Sequence, residues 1–151
     1  RVTQFPDSSR AAQFSQAALL ACVLAPSSLL AATYTVGPSG RQYTQLSTLL
    51  VNVNLEPGDI VEVDGDATYN GDVIVRSDDS GTAASPVTIR WRRQAGASRP
   101  VLQGGTNTIK FQQSNHVVFE GFEVRGGTNT CIFNEAHGTV VRDVIVRNCP
   151  G

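Results

Sequence analysis

Apolar and polar residues alternate in short runs through the second half of the chain, and the runs return at a fixed spacing. Residues 104–125 align with residues 126–147 without a gap and share nine identities, so that GGTNTIKF at 104–111 returns as GGTNTCIF at 126–133. In the first copy, the alternating apolar positions form three groups: Ile109–Phe111, Val117–Phe119 and Phe122–Val124. Such runs between Gly, Asn, Thr and Ser are typical of strands, and a repeat of this length is typical of solenoids, whose repeats bury apolar faces against one another.

The pattern therefore predicts an all-β fold, a parallel β-helix whose coils contain about 22 residues and three short strands each. Phe111 and Phe133, which are one repeat apart, are then expected at equivalent core positions in neighbouring strands. Further strand-like runs are predicted upstream, at Ile60–Val63, Val73–Val75, Val87–Trp91 and Val101–Leu102.

A short amphipathic helix is predicted ahead of these strands, with Thr44 as its N-cap. Its apolar face contains Leu46, Leu49, Leu50 and Val53. Such a helix would cover the N-terminal end of a β-helix, where apolar core and unpaired strand edges otherwise meet water. Each repeat begins with a Gly-Gly turn between strands, which we call a corner. At its C-terminal end the sequence stops where a third corner should begin, so we expect further coils in a longer protein.

The N-terminal residues have the order of a secretory signal peptide. Arg1 and Arg10 precede an apolar stretch, Ala17–Ala32, which ends in small residues that a signal peptidase can recognise, with Ala31 or Ala32 as the expected cut site. The stretch is interrupted by polar residues and is too short for a convincing membrane span. We therefore expect an exported protein that is extracellular or periplasmic.

Two other interpretations of this stretch stay open. Leu19–Cys22 resembles a lipoprotein processing box, and the whole stretch can also form a buried helix of the folded domain. With export as the preferred interpretation, the chain divides into a signal peptide in residues 1–32 and one β-helix domain in residues 33–151.

Composition and charge narrow the range of partners. Hydrophobic residues make up 40% of the chain and charged residues 17%, as in an ordinary globular domain. The net charge is -1, and the twelve Lys and Arg residues are scattered along the sequence, which argues against a nucleic-acid-binding face. We expect a monomer without a membrane span in its mature form.

Five stretches, which together cover nearly all of the predicted domain, carry a family resemblance. They are YTVGPSG (34–40), LEPGDIVEV (55–63), SGTAASPVTIRW (80–91), RPVLQGG (99–105) and HVVFEGFEVRGG (116–127). In this order they resemble the N-terminal part of right-handed parallel β-helix proteins of the pectate-lyase-like superfamily. The resemblance implies right-handed coils behind a helical cap. It is specific for architecture, because lyases, epimerases, hydrolases and adhesins share this opening.

For the lyases of that superfamily, the resemblance implies β-elimination next to a uronate. Calcium or a basic side chain neutralises the carboxylate, and a Lys or Arg base removes the C5 proton. No match to that constellation is found here, so we assign no catalytic residue, cofactor or metal ligand, and calcium would belong to coils beyond residue 151. Two functions stay open. In the first, a secreted protein binds an extracellular acidic polysaccharide and, if it is an enzyme, also cleaves it; in the second, the protein is a non-catalytic adhesin-like protein or a stalk. An inactive fragment is a third.

Charged residues on the predicted strands are candidates for contacts with a glycan or a metal. Lys110 is expected to point outward, where it is either a solvated lysine or a partner for a glycan carboxylate. An acidic run surrounds the first coils: Asp59, Glu62, Asp64, Asp66 and Asp72. Calcium needs several oxygen ligands at one point, and strand alternation divides these residues between two faces. We therefore expect turn formation and solubility from this run, not a metal site.

Two pairs of aligned residues in the repeat are predicted to interact across coils. Asn107 and Asn129 occupy equivalent corners, where stacked side-chain amides can form a hydrogen-bonded ladder. Glu120 aligns with Arg142, which predicts an ion pair on the outer face worth about 0–1 kcal/mol. Both pairs are structural predictions and not candidate sites.

The alignment also predicts the positions and roles of the two histidines and of the last two cysteines. His116 and His137 are out of register with each other, so they are expected to be separate turn residues. Cys131 takes an inward position and is expected to act as a small core hydrophobe. Cys149 aligns with Gly127 at a corner, so a Cys131–Cys149 disulfide is possible in an exported protein but is disfavoured by this register.

Overall fold

Short parallel strands make up most of the regular structure in residues 30–150, the part of the chain that the computed structural model describes. One α-helix and one 3-10 turn accompany the strands in this range. In chain order the elements are β1 (Thr33–Val36), α1 (Leu46–Asn52), β2 (Ile60–Asp64), β3 (Thr68–Asn70), β4 (Val73–Val75), the 3-10 turn (Ser77–Asp79), β5 (Val87–Arg92), β6 (Val101–Gln103), β7 (Asn107–Phe111), β8 (Val117–Glu120), β9 (Glu123–Arg125), β10 (Thr130–Asn134), β11 (Val140–Arg142) and β12 (Ile145–Arg147).

The strands form three sheets, and every pairing between them is parallel. The first sheet has the order β1-β2-β5-β8-β11, the second β3-β6-β9-β12 and the third β4-β7-β10. From β2 onward the chain visits the first, second and third sheets in turn and then begins again; we call one such passage a circuit. The prediction of a mostly β fold built from short parallel strands is confirmed.

An apolar cluster packs between the sheets because alternate residues of each strand point to the same side. In the first sheet, Val61, Val63 and Ile89 are fully buried, whereas Glu62 and Arg90 alternate with them and keep contact with water. Burial of such a side chain stabilises the fold by about 1.5–3 kcal/mol. The polar residues of this sheet are consequently collected on its outer face.

The predicted helix is present, but it begins differently. Gln45 is its N-cap residue, and no side chain among residues 30–150, Thr44 included, caps it, so that part of the prediction is wrong. Leu46 and Leu49 are fully buried, as the apolar pattern requires. The helix contacts β3 and β4, the first strands of the second and third sheets, and so covers apolar residues at that end.

Two strands have no counterpart in the sequence prediction. Thr33–Val36 forms β1, which pairs with β2 and extends the first sheet on the same end as the helix. Thr68–Asn70 forms β3, in which Tyr69 is the one buried side chain. Both segments are short and carry few apolar residues. They are strands because they pair with neighbouring strands in the folded protein, and not because their own sequence alternates.

The repeat spacing found in the sequence holds only for the later circuits. Val118 pairs with Val140 at that spacing, and so does Leu102 with Val124. Earlier in the first sheet, Ile60 pairs with Thr88, so the circuit between them is longer than the sequence repeat. The strands keep their register across these longer circuits because the additional residues lie in the corners, where chain length is free to vary.

One strand pair departs from the alignment by a single position. Thr130 pairs with Asn107, and Phe133 therefore stands opposite Lys110 and not opposite Phe111. The corner before β10 is longer by one position than the corner before β7, and such a shift reverses the face of every side chain. Phe111 is fully buried, whereas Phe133 is only half-buried. The expected core stacking of Phe111 and Phe133 is wrong.

The same shift joins the two cysteines that the alignment kept apart. Cys131 and Cys149 form a disulfide, with their Cα atoms 5.7 Å apart. One circuit earlier, a Cβ at Gly127 would lie 2.9 Å from Oγ1 of Thr108. Cys149 is the alignment partner of Gly127, and the shifted register brings Cys131 to the place of Thr108. The expectation from register that disfavoured this disulfide is thus wrong.

The predicted signal peptide lies almost entirely outside the residues that the structure describes, since these begin at residue 30. Its cleavage and export stay predictions. None of the helical segments in residues 30–150 has the length and apolar character of a membrane span.

Candidate functional site

A row of alternating charges crosses the outer face of the first sheet. The strand register places Glu62, Arg90, Glu120 and Arg142 side by side on β2, β5, β8 and β11. Arg90 donates from Nη2 to Glu62 Oε1 over 2.7 Å, and Arg142 donates from Nε to Glu120. The predicted Glu120–Arg142 pair is confirmed, and it belongs to a longer row.

A shallow groove of about 450 Å³ lies along this row and the end of β5. Its lining residues are Glu62, Arg90, Trp91, Arg92, Arg93 and Glu120. Trp91 packs closely against Gly121, where an added Cβ would lie 2.8 Å from that of the tryptophan. Gly121 also has a positive φ of 86°, so that glycine is required there for two independent reasons.

Two arginines converge on one carboxylate at the edge of the groove. Arg93 and Arg99 both donate to the carboxylate of Asp143, and Arg99 also donates from Nη1 to the main-chain oxygen of Asp143 over 2.6 Å. These hydrogen bonds lower the pKa of the Asp143 carboxyl below its usual range, first through Arg93 and then through Arg99. The guanidinium carbons of Arg93 and Arg99 lie 4.7 and 5.8 Å from the ring centroid of Trp91.

Several buried polar atoms at or next to the groove have no hydrogen-bond partner in the part of the chain that the structure describes. Among residues 30–150 there are four such side-chain atoms, and three of them are here: Asp64 Oδ1, Trp91 Nε1 and Arg92 Nη1. Arg92 Nη1 and Asp64 Oδ1 are 3.6 Å apart, while Arg41 donates from Nε to the other oxygen of Asp64 over 2.6 Å. These three atoms are almost inaccessible to solvent, so they belong to the interior beside the groove and not to the surface that a ligand would meet.

Lys110 is not part of this groove. It points outward from β7 in the third sheet, as predicted, and its Nζ lies 3.1 Å from Glu135 Oε2 and 5.1 Å from the ring centroid of Phe133. The lysine is therefore paired within the protein, which favours the structural role over a glycan contact.

The acidic run does not act as one group. Asp59, Asp66 and Asp72 accept hydrogen bonds from main-chain N–H groups in turns, which confirms the turn prediction for them. Glu62 and Asp64 bind arginines instead. Within residues 30–150 no three His, Cys, Asp or Glu side chains form a group that could hold a metal ion.

The remaining predicted residues have structural roles. Asn129 donates from its side-chain amide to Asn107 Oδ1 over 3.1 Å, which confirms the ladder between equivalent corners. His116 and His137 lie in bends between strands, as predicted, and the main-chain N–H of His116 donates to the oxygen of His137 over 2.9 Å. Neither histidine lines the groove.

Sequence reasoning named Glu62, Glu120 and Arg142, but it missed the other arginines and the tryptophan that line the groove. The basic residues are scattered in sequence, but register and corner loops bring Arg41, Arg90, Arg92, Arg93, Arg99 and Arg142 to one region of the surface. A usable signal was the run Arg90–Arg93, in which three arginines and a tryptophan stand at the end of a strand that begins with apolar residues. Asp143 gave no signal, since its partners Arg93 and Arg99 are far away in the sequence.

No family model matches the chain, and no curated protein matches it either. A function must therefore come from the charges and the shape of the groove.

Proposed function

We propose that the three sheets form a right-handed parallel β-helix of the pectate-lyase-like superfamily, and that the exported protein binds an extracellular acidic polysaccharide on the outer face of its first sheet. The repeated passage through three parallel sheets supports a solenoid whose circuits stack on one another. The five stretches that carry the resemblance support the superfamily.

The observation that carries the proposal is the convergence of Arg90, Arg92 and Arg93 with Trp91 in one groove. Guanidinium groups bind carboxylates through paired hydrogen bonds, and carboxylates are the charged groups of polyuronates. The tryptophan adds an apolar ring next to these charges. Small ligands usually occupy enclosed pockets, so an open groove along stacked strands is better suited to an extended polymer.

Binding fits the contacts of this groove better than cleavage does. Abstraction of the C5 proton needs a basic group, whereas Arg90 already donates to Glu62 and Arg93 to Asp143. An arginine that donates to a carboxylate is held in its protonated form by that contact, which makes it a poor base. The proposed role of these arginines is thus to hold the carboxylates of the polymer.

The test is a calorimetric titration of the full chain with acidic oligosaccharides from pectate, alginate and chondroitin, and with a neutral galactan oligomer as control. Arg92→Gln should weaken binding of the preferred acidic oligomer by about tenfold or more. Arg125→Gln is the matched control, because its side chain is 37% exposed against 36% for Arg92 and it also pairs with a glutamate, but on the second sheet. The affinity of Arg125→Gln for the same oligomer should stay within about twofold of the wild-type value.

Three results would overturn the proposal: no binding of any acidic oligomer, equal binding of the neutral one, or equal weakening by both substitutions. An assay for unsaturated products, with and without a chelator, separates binding from cleavage. Release of such products would contradict the statement that this groove binds without cleaving, provided that Arg92→Gln abolishes the release.

A further inference from the structure

We propose that Arg93 and Arg99 form a carboxylate-binding subsite beside Trp91, and that the side chain of Asp143 occupies it as an internal competitor that a ligand carboxylate displaces. This inference rests on the proposed function, because it names the place where one uronate carboxylate of the polymer binds. It assigns two roles that the groove alone does not: Asp143 limits the affinity, and Arg99 belongs to the binding surface.

The contacts of Asp143 are those that a bound carboxylate would make. Arg93 donates to one carboxylate oxygen and Arg99 to the other. Both guanidinium groups come from the same short stretch after β5, whereas Asp143 reaches them from the connection between β11 and β12. Arg93 also lines the groove, so the subsite is continuous with the proposed polymer path.

Exchange of one carboxylate for another is inexpensive at this position. The side chains of Arg93 and Asp143 are 61% and 45% exposed, and exposed ion pairs are generally weak. Arg99 is 24% exposed, and its bond to the main-chain oxygen of Asp143 does not depend on the carboxylate. The guanidinium of Arg99 therefore stays in place when the Asp143 side chain turns away, and the subsite is preserved for a ligand.

A purely structural role for Asp143 makes the opposite prediction. If the carboxylate only ties the last circuit to the stretch after β5, its neutralisation should loosen both and weaken binding. If it competes with the ligand, neutralisation should strengthen binding. Asp143→Asn separates these cases, since asparagine has the same shape and tolerates the positive φ of 51° at this position.

The experiment compares the wild-type chain with Asp143→Asn at low ionic strength, using two probes. Calorimetry with trigalacturonate should show about tenfold tighter binding to Asp143→Asn, and the gain should vanish in the double variant with Arg93→Gln. NMR spectra of the arginine Nε–Hε groups, titrated with acetate, should show shifts of Arg93 and Arg99 in Asp143→Asn that are larger than in the wild type. Arg93→Gln and Arg99→Gln assign those signals.

The acetate probe makes the two proposals separable. Selective shifts of Arg93 and Arg99 support the subsite even if no acidic oligomer binds, in which case only the proposed function fails. If trigalacturonate binds but Asp143→Asn neither gains affinity nor shows selective shifts, the subsite is wrong and the proposed function stands. Equal shifts of all exposed arginines, Arg125 and Arg147 included, would mean non-specific binding and would also overturn the subsite.

Discussion

Asn129 donates a hydrogen bond from its side-chain amide to the side-chain oxygen of Asn107, which lies one circuit earlier, over 3.1 Å. Thr130 donates to the same oxygen from its hydroxyl over 2.7 Å. Asn107 therefore accepts two bonds between circuits, whereas Asn129 contributes one. The two residues occupy equivalent positions in the sequence repeat, but they are unequal in their contribution to the corner.

Substitution of Asn107 should accordingly cost more stability than substitution of Asn129. Asn107→Ala removes the acceptor of two hydrogen bonds and should lower the free energy of unfolding by about 1–3 kcal/mol, against about 0.5–1.5 kcal/mol for Asn129→Ala. Urea denaturation measures both values, with the exposed Gln112→Ala as the control expected to change little. An equal or larger loss for Asn129→Ala would contradict the shared acceptor.

The shifted register of β10 predicts unequal costs for two aligned phenylalanines. Phe111→Ala empties a fully buried position and should cost about 3–5 kcal/mol. Phe133→Ala removes an outward ring that lies against the ammonium group of Lys110, and should cost about 1 kcal/mol or less. Denaturant unfolding of the two variants decides the matter, since an unshifted repeat register would make the two losses similar.

The disulfide should stabilise the last circuit. Cys131 and Cys149 are separated by 18 residues, and closing a loop of this size stabilises a fold by about 3 kcal/mol in the chain-entropy model. The double variant Cys131→Ser, Cys149→Ser should therefore unfold at a lower temperature than the wild type. A reductant should lower the melting temperature of the wild type and leave that of the double variant unchanged; equal sensitivity of both would argue against the bond.

Tyr69 should make stability fall at alkaline pH. Burial raises the pKa of its hydroxyl to about 12, with a further increase from Asp64 that Arg41 opposes, and the hydroxyl donates to the main-chain oxygen of Asp64 over 2.9 Å. The unfolded chain ionises near pH 10, so between about pH 10 and 12 the native state binds the proton more tightly and stability decreases as the pH rises.

The comparison for this prediction is Tyr69→Phe, which should lose about 1 kcal/mol at neutral pH and show a smaller fall in stability between about pH 10 and 12. Chemical denaturation at several pH values measures the fall, and phenolate absorbance of the native protein identifies the late titration. A titration of native Tyr69 near pH 10 would contradict the effect of burial.

Local alternation was enough to predict the strands and the helix wherever it extended over several residues. The Ile109–Phe111 run lies in β7, and Leu46 and Leu49 face the core as expected. Local alternation failed to predict a strand that has only one buried residue, as β3 has in Tyr69. It also failed to predict the register where a corner gains a residue, as the corner before β10 does. Neither feature changes the pattern of apolar residues enough to be detected by comparing the sequence repeats.

The site was less accessible to sequence reasoning for a related reason. Arg90 faces Glu62 and Glu120 across circuits that are longer than the sequence repeat, so the repeat does not predict either pairing. Arg93 and Asp143 meet through two connections outside the strands, where no periodicity constrains the chain. The types of residue were visible in the sequence, but their convergence depends on corner lengths.

The disulfide also affects how damage to this protein would be detected. It spans β11 and β12, and all three residues of β11 are exposed to water and thus to proteases. A single cut between the two cysteines would leave both pieces joined through sulfur, so that the mass of the unreduced protein rises only by that of one water, whereas reduction releases the short C-terminal piece. A preparation judged intact by its size without reductant can therefore already be cleaved in the segment that carries Arg142 and Asp143.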